Sequence, residues 1–303
     1  MKKHLHKGES IPRSHTHRPS NLHIVVRRVA YEYQTSLKAN RYWYNNDPIG
    51  THFINALQST FPEGELFFIQ AAVDGARILR QHGRIDNQME QDLKSFQQQE
   101  AHHSQQHRLW NKALIQIGYE KLALYDNNLH NFDVWSRKHI PAKLRLAVTA
   151  AAEHYTASIA YLFTYVNQDL LRKSDAPFSS LLLYHAMEEI EHKSVCFDLS
   201  QMLSRSYMMR IISLVFISFD LAINIFMRMR YLLKKDGLWG WRYKVKFWRF
   251  FLGRNGLLKG LFPRIIQYLR PSFHPWRTDE RKGIEHIFGD LMMRDHIEPF
   301  KFE

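Results

Sequence analysis

Two Glu-x-x-His pairs lie in stretches free of helix breakers, and each has a lone glutamate one helix-length upstream. Glu100-Ala-His-His103 is the first pair and Glu189-Ile-Glu-His192 the second. Glu65 precedes the first pair by 35 residues, and Glu153 precedes the second by 36. On a helix, residues i and i+3 share a face, so each pair aims a carboxylate and an imidazole at one point. A chain built this way has to turn four helix faces toward a common interior, because an unpartnered buried carboxylate is too costly to keep. Glu65 is followed by Leu66, Phe67 and Phe68, and Glu153 follows three alanines, so both sit in apolar surroundings.

The expected fold is therefore all-α. Residues 1–20 read as a disordered tail, residues 21–205 as a ferritin-like four-helix di-metal bundle, and residues 206–303 as a helical basic and aromatic extension. The breakers agree with this division. Pro62 suits a first turn and Gly83 an end, giving a first helix to about His82. Asp86 suits the cap of a second helix reaching Gly118. A loop rich in Asn follows, with Asp126, Asn127, Asn128 and Asn131. A third helix is expected from Pro141 to about Lys173, and a fourth from Pro177 through Ser204. No strand-like alternation of any length occurs.

Glu in four helices with Glu-x-x-His in two of them is the ligand set of di-iron and di-manganese carboxylate bundles. The expected metal ligands are Glu65, Glu100, His103, Glu153, Glu189 and His192. His185 lies four residues before Glu189 and seven before His192, on the same face, and is expected as a seventh ligand. His107 shares the face of Glu100 and His103 and is expected behind the ligands. Glu188 and Gln99 directly precede the ligand glutamates. Each can hold a ligand imidazole of a facing helix, Glu188 having the better case. Glu191, His102 and His154 are turned about 100° away per residue, Glu191 toward solvent. Four carboxylates neutralise two divalent ions, and the absence of sulfur ligands argues against structural zinc. The expected cofactor is two iron ions, with manganese or zinc as alternatives.

The ligand order, with His185 four residues before the last ligand glutamate, resembles the p-aminobenzoate N-oxygenase family of di-iron enzymes. In wider wording, Phe-Pro-Glu-Gly-Glu65, Gln-Glu100-Ala-His-His103 and the run from His185 through Cys-Phe-Asp198 resemble a bacterial family labelled predicted metal-dependent hydrolases. That second resemblance covers most of residues 20–290. Together they imply a ferritin-like bundle holding two metals. The basic C-terminal region has no counterpart in the N-oxygenase pattern, so an arylamine substrate is not implied.

The net charge is +13, and residues 207–270 carry 13 Lys or Arg against only Asp220 and Asp236. The cations alternate with Trp239, Trp241, Phe247, Trp248, Phe250 and Phe251. Basic residues among tryptophans suit a membrane interface rather than nucleic acid, for which no motif is present. The apolar stretch 211–227 is near the lower limit of a span and contains Asp220 and Asn224, so a core or in-plane helix is expected. One cysteine, Cys196, excludes an internal disulfide framework, and no apolar signal segment opens the chain. A cytoplasmic protein, peripheral on the inner face of the membrane, is expected. His4, His6, His15 and His17 read as part of the tail.

Two enzyme classes fit: a di-iron oxygenase or oxidase acting on a small hydrophobic substrate with an electron donor, or a di-metal hydrolase of an ester or phosphoester. The carboxylate-rich helical ligand set favours the first, since hydrolase sites more often use Asp and His on loops at strand ends. Iron storage requires a cage, for which the extension is awkward.

Overall fold

The computed structural model describes residues 18–19, 21–253 and 256–293; the four histidines of the expected tail lie outside them. All regular structure among the described residues is helical. The chain runs through α1 (Gln34–Ala39), α2 (Pro48–Gln58), α3 (Phe61–Gln81), α4 (Asn87–Gln116), α5 (Leu122–His139) and α6 (Ala142–Tyr161). A π turn over Leu162–Val166 leads into the short α7 (Asp169–Arg172) and then α8 (Phe178–His192) and α9 (Val195–Leu203). The C-terminal part comprises α10 (Tyr207–Lys235), α11 (Trp241–Leu252), α12 (Leu257–Gln267) and α13 (Arg281–Met293).

Helices α3, α4, α8 and α6 close a ring: each packs on the next, and α6 returns to α3. Local chemistry sets their ends. Asp86 accepts a hydrogen bond from Met89 N at 2.8 Å, capping α4. Gly83, just past the end of α3, has φ +62°, which a side chain would strain. Gly75 lets α3 approach α6, because a Cβ there would lie 2.6 Å from Leu146 Cδ2. That close approach brings together the two helices that carry the lone glutamates.

Several expected boundaries differ. The Asn-rich loop is the helix α5, although Asn and Asp are poor helix formers. Tertiary contacts override the propensity: Asp126 accepts from Asn111 of α4 at 3.2 Å, and Leu122 is fully buried. The third helix ends at Tyr161, not Lys173. Hydroxyls of Ser158 and Thr164 bond the carbonyls four residues back, and the backbone widens so that Asn167 N reaches Leu162 O at 2.7 Å. The fourth helix breaks after His192. There Lys193 turns its ammonium onto Thr278 O at 2.8 Å and onto the carboxylate of Glu280. The helix expected over 211–227 extends to 29 residues.

α10 packs on α6 and α2. Its last turn is held by Asp236, which accepts from Tyr42, Tyr119 and Arg41 and lies 2.9 Å from His52 Nε2. Burial works against ionisation, but these donors hold the Asp236 carboxyl down at about 2. α10 meets the length and composition of a membrane-crossing helix, with 22% of its most apolar window buried. Leu214, Ile217, Met229, Leu232 and Leu233 of the same helix join the core, so one face is packed and the rest lies open.

Candidate metal centre

The expected ligands arrive on all four helices of the ring: Glu65 on α3, Glu100 and His103 on α4, Glu153 on α6, and His185, Glu189 and His192 on α8. All seven side chains are buried. Their donor atoms fall into overlapping trios within 4.8 Å: Glu100–Glu153–His192, Glu65–Glu100–His103, His103–His185–Glu189 and Glu65–His107–His185. Glu65, Glu100, His103 and His185 each belong to two trios, so the cluster is continuous.

At one end, His192 Nε2 lies 3.1 Å from Glu100 Oε1, 3.3 Å from Glu153 Oε2 and 3.4 Å from Glu189 Oε2. At the other, His185 Nε2 lies 2.7 Å from Glu189 Oε1 and 3.6 Å from Glu65 Oε1. Glu189 reaches both ends with its two oxygens, the geometry of a bridging carboxylate. Burial pushes Glu65 and Glu100 well above the usual carboxylate range, and neighbouring carboxylates add to the shift. Burial likewise raises Glu153 to about 7. Glu189 goes the other way: burial opposes ionisation, but His192 and His185 outweigh it. Burial also works against a charged His192, yet Glu189 and Glu153 hold its proton well above the ordinary range.

The donor set fits metal ions. Both oxygens of Glu65, Glu100 and Glu153, together with Glu189 Oε2, are buried and accept no hydrogen bond from the protein. Seven such oxygens in one interior call for cations. A polar chain stands behind His185. Gln58 donates its amide to Asn111 Oδ1 at 3.0 Å, and its Oε1 lies 3.4 Å from His107 Nδ1. His107 Nε2 lies 2.8 Å from His185 Nδ1. His185 Nε2 in turn faces Glu189 Oε1 at 2.7 Å. His107 thus stands behind His185 and orients it.

The two residues preceding the ligand glutamates take reciprocal positions. Gln99 of α4 accepts from His192 Nδ1 of α8 at 2.8 Å, which leaves Nε2 free for the cluster. Glu188 of α8 sits 2.9 Å from His103 Nε2 of α4, with His103 Nδ1 toward Glu189 at 3.8 Å. Burial raises Glu188 to about 7 against the pull of Arg27. Replacing Gln99 by Leu removes the acceptor without changing the bulk of the site. Metal affinity is expected to fall roughly 10–100-fold. A competition titration with a chromophoric chelator reads it, and an unchanged affinity would show that this bond does not orient His192.

The lead-in segment supplies a layer that no sequence period revealed. Residues 25, 27 and 29 run extended across α4 and α8. Val25 N donates to Glu191 Oε2 at 3.1 Å, Arg27 N to Glu188 Oε1 at 3.2 Å and Val29 N to His102 Nε2 at 2.9 Å. The Arg27 guanidinium bonds Glu191 at 2.6 Å, so Glu191 is a half-buried ion-pair partner and not the solvated residue expected. Gln99 Nε2 completes the layer with Val25 O and Glu191 Oε2, both at 3.0 Å. His154 faces away from the cluster, onto Arg264 O at 2.9 Å, and Cys196 is buried with a thiol that burial holds protonated.

Residues 25–279 match the family model described as predicted metal-dependent hydrolase. The chain belongs to that family. Its description makes the protein a metal-dependent enzyme, and the buried Glu and His cluster is where the family's metal would sit. Comparison with curated proteins and with solved structures gave no match.

Proposed function

We propose that this family member is a ferritin-like di-metal carboxylate enzyme that uses two iron ions and dioxygen to oxidise a hydrophobic organic substrate. One observation carries the reading: a Glu, a Glu-x-x-His, a Glu and a second Glu-x-x-His converge from four ringed helices on a buried interior. Bound iron would supply dioxygen reduction and the oxidising power; an external donor supplies the electrons. Glu65, Glu100, His103, Glu153, His185, Glu189 and His192 hold the metals. Glu188, Gln99 and His107 fix the imidazoles from behind.

The space beside the cluster accommodates dioxygen. A cavity of about 30 Å³ touches His185 and Glu189. Ile54, Leu57, Phe61, Ile159, Phe163 and Leu182 form half of its wall. It has room for a molecule of dioxygen's size, and no Lys or Arg among its lining residues to anchor a phosphoester. The family description keeps hydrolysis as the second reading, with zinc or manganese activating water.

Metal content and the optical spectrum of the anaerobically reduced protein, before and after oxygen, separate the two. About two irons per chain with a transient oxygen-dependent absorption are expected. Two zinc or manganese ions, no response to oxygen, and ester cleavage under strict anaerobiosis would replace oxidation by hydrolysis.

A further inference from the structure

Three helices in succession expose apolar stripes on one face. On α10 the stripe is Met208, Ile212, Val215, Phe219 and Ile223, with Phe219 67% exposed. On α11 it is Trp241, Val245, Trp248 and Leu252, with Trp241 72% exposed. On α12 it is Leu258, Phe262 and Ile266, with Leu269 just past its end and Phe262 64% exposed. Each set recurs at three- or four-residue steps, the spacing of a face built to be covered.

α11 shows most clearly what covers it. At 100° per residue its exposed stripe spans about 60°. Arg242, Arg249 and Lys246 flank one side and Lys244 the other, all exposed. The inward face, formed by Tyr243, Phe247, Phe250 and Phe251, packs on the core. The helix therefore has two apolar faces separated by cations. The only acids of residues 207–270 are not exposed: Asp236 is locked in its network and Asp220 accepts from Asn224 at 3.0 Å. An apolar face rimmed with Lys and Arg and free of exposed carboxylate complements an anionic lipid surface.

A cleft of about 1310 Å³ opens between these stripes, above the roughly 300–1,000 Å³ of ordinary small-molecule pockets. Ile223, Trp248, Leu252 and Phe262 form its lip. Tyr155, Ile159, Ser218 and Leu221 lie at its floor, on α6 and α10. Ile159 also lines the small cavity that touches His185 and Glu189. One side chain thus borders both the cleft and the space beside the metal ligands.

We propose that the α10–α12 face docks on an anionic lipid bilayer, that the cleft takes the hydrocarbon tail of a lipid drawn from it, and that the tail meets the metal centre at Ile159. The metal-centre part rests on the functional reading above, while the docking part stands without it. The substrate class is then a long-chain amphiphile, and docking places the cleft mouth at the depth of the acyl chains.

The test uses the full chain with vesicles of phosphatidylcholine, with and without phosphatidylglycerol. Flotation is expected to show roughly tenfold or tighter binding to the anionic vesicles, weakened by salt. Acyl-brominated lipid is expected to quench tryptophan fluorescence, with the quenching lost in Trp241→Phe/Trp248→Phe. Trp248→Glu/Phe262→Glu is expected to abolish flotation while metal content stays at the wild-type level. Cobalt(II)-loaded protein reports the inner end: decanoate is expected to change its visible absorption, and Ile159→Trp to remove that change. Three results would overturn the proposal: no flotation with either vesicle, a wild-type dimer that the double glutamate variant makes monomeric, or a cobalt spectrum indifferent to decanoate. Wild-type protein that holds two metals but does not float would sink docking and leave the metal centre standing; wild-type protein that floats but takes up no metal would do the reverse.

Discussion

Glu65→Leu is expected to stabilise the metal-free protein and, in the same variant, to remove half or more of its metal uptake. Both oxygens of Glu65 are buried without a hydrogen-bond donor, between α3 and the ligand faces of α4 and α8. Without metal, the side chain is held as a neutral acid at a desolvation cost, or ionised at a larger one. An apolar side chain of similar size carries neither cost, and replacing buried ionic groups in this way is commonly worth about 1–4 kcal/mol. The pH dependence identifies the cause. The folded-state value of Glu65 lies well above the unfolded one. Its contribution is fully present below the unfolded value and is lost as pH rises through the folded value. The advantage of the Leu variant should therefore be small in acid and grow toward neutral and alkaline pH. Thermal unfolding of the chelated proteins across that range measures it. With metal bound the order reverses, because wild type gains binding energy that the variant cannot reach. A Leu variant less stable than wild type in the metal-free state would mean that Glu65 has a partner other than metal.

That opposition between folding and function explains why the residues of the buried cluster were legible in the chain. Local helix geometry fixes which residues share a face, so spacing alone grouped Glu100 with His103 and His185 with Glu189 and His192. The same geometry marked Gln99 and Glu188, one position before the ligand glutamates. Helix α5 was not legible, because Asn and Asp favour loops and only contact with α3 and α4 reverses that preference. Arg27 was not legible either. An extended segment has no helical period, and its role comes from lying across α4 and α8, far away in sequence. The α10–α12 stripes show a different limit. Periodicity tells that Trp241, Val245, Trp248 and Leu252 lie on one face; it does not tell whether protein covers that face. Only the packing shows that α11 turns Phe247 inward and leaves the tryptophans out.

Metal binding is expected to expel roughly two or more protons per chain near neutral pH, so that the overall constant for loading two ions rises by roughly a hundredfold per pH unit. In the metal-free cluster, Glu65 and Glu100 titrate well above the usual carboxylate range, and Glu153 does so at about 7. His192 keeps its proton because it sits among Glu100, Glu153 and Glu189. A divalent ion takes the place of these protons: it binds the ionised carboxylates and the neutral imidazole. His103 and His107 do not add to the count, since burial already holds them neutral. The sign follows directly. As pH falls the protons compete and metal is released; as pH rises they are lost and the site opens. Calorimetric titration with zinc in buffers of different ionisation heat counts the protons, and the pH dependence of the dissociation constant gives the same number independently. Glu65→Leu lowers that number, because one of the protonated acids is gone. Affinity independent of pH, with no proton released, would mean that the four carboxylates are neutralised by something other than protons before the metal arrives.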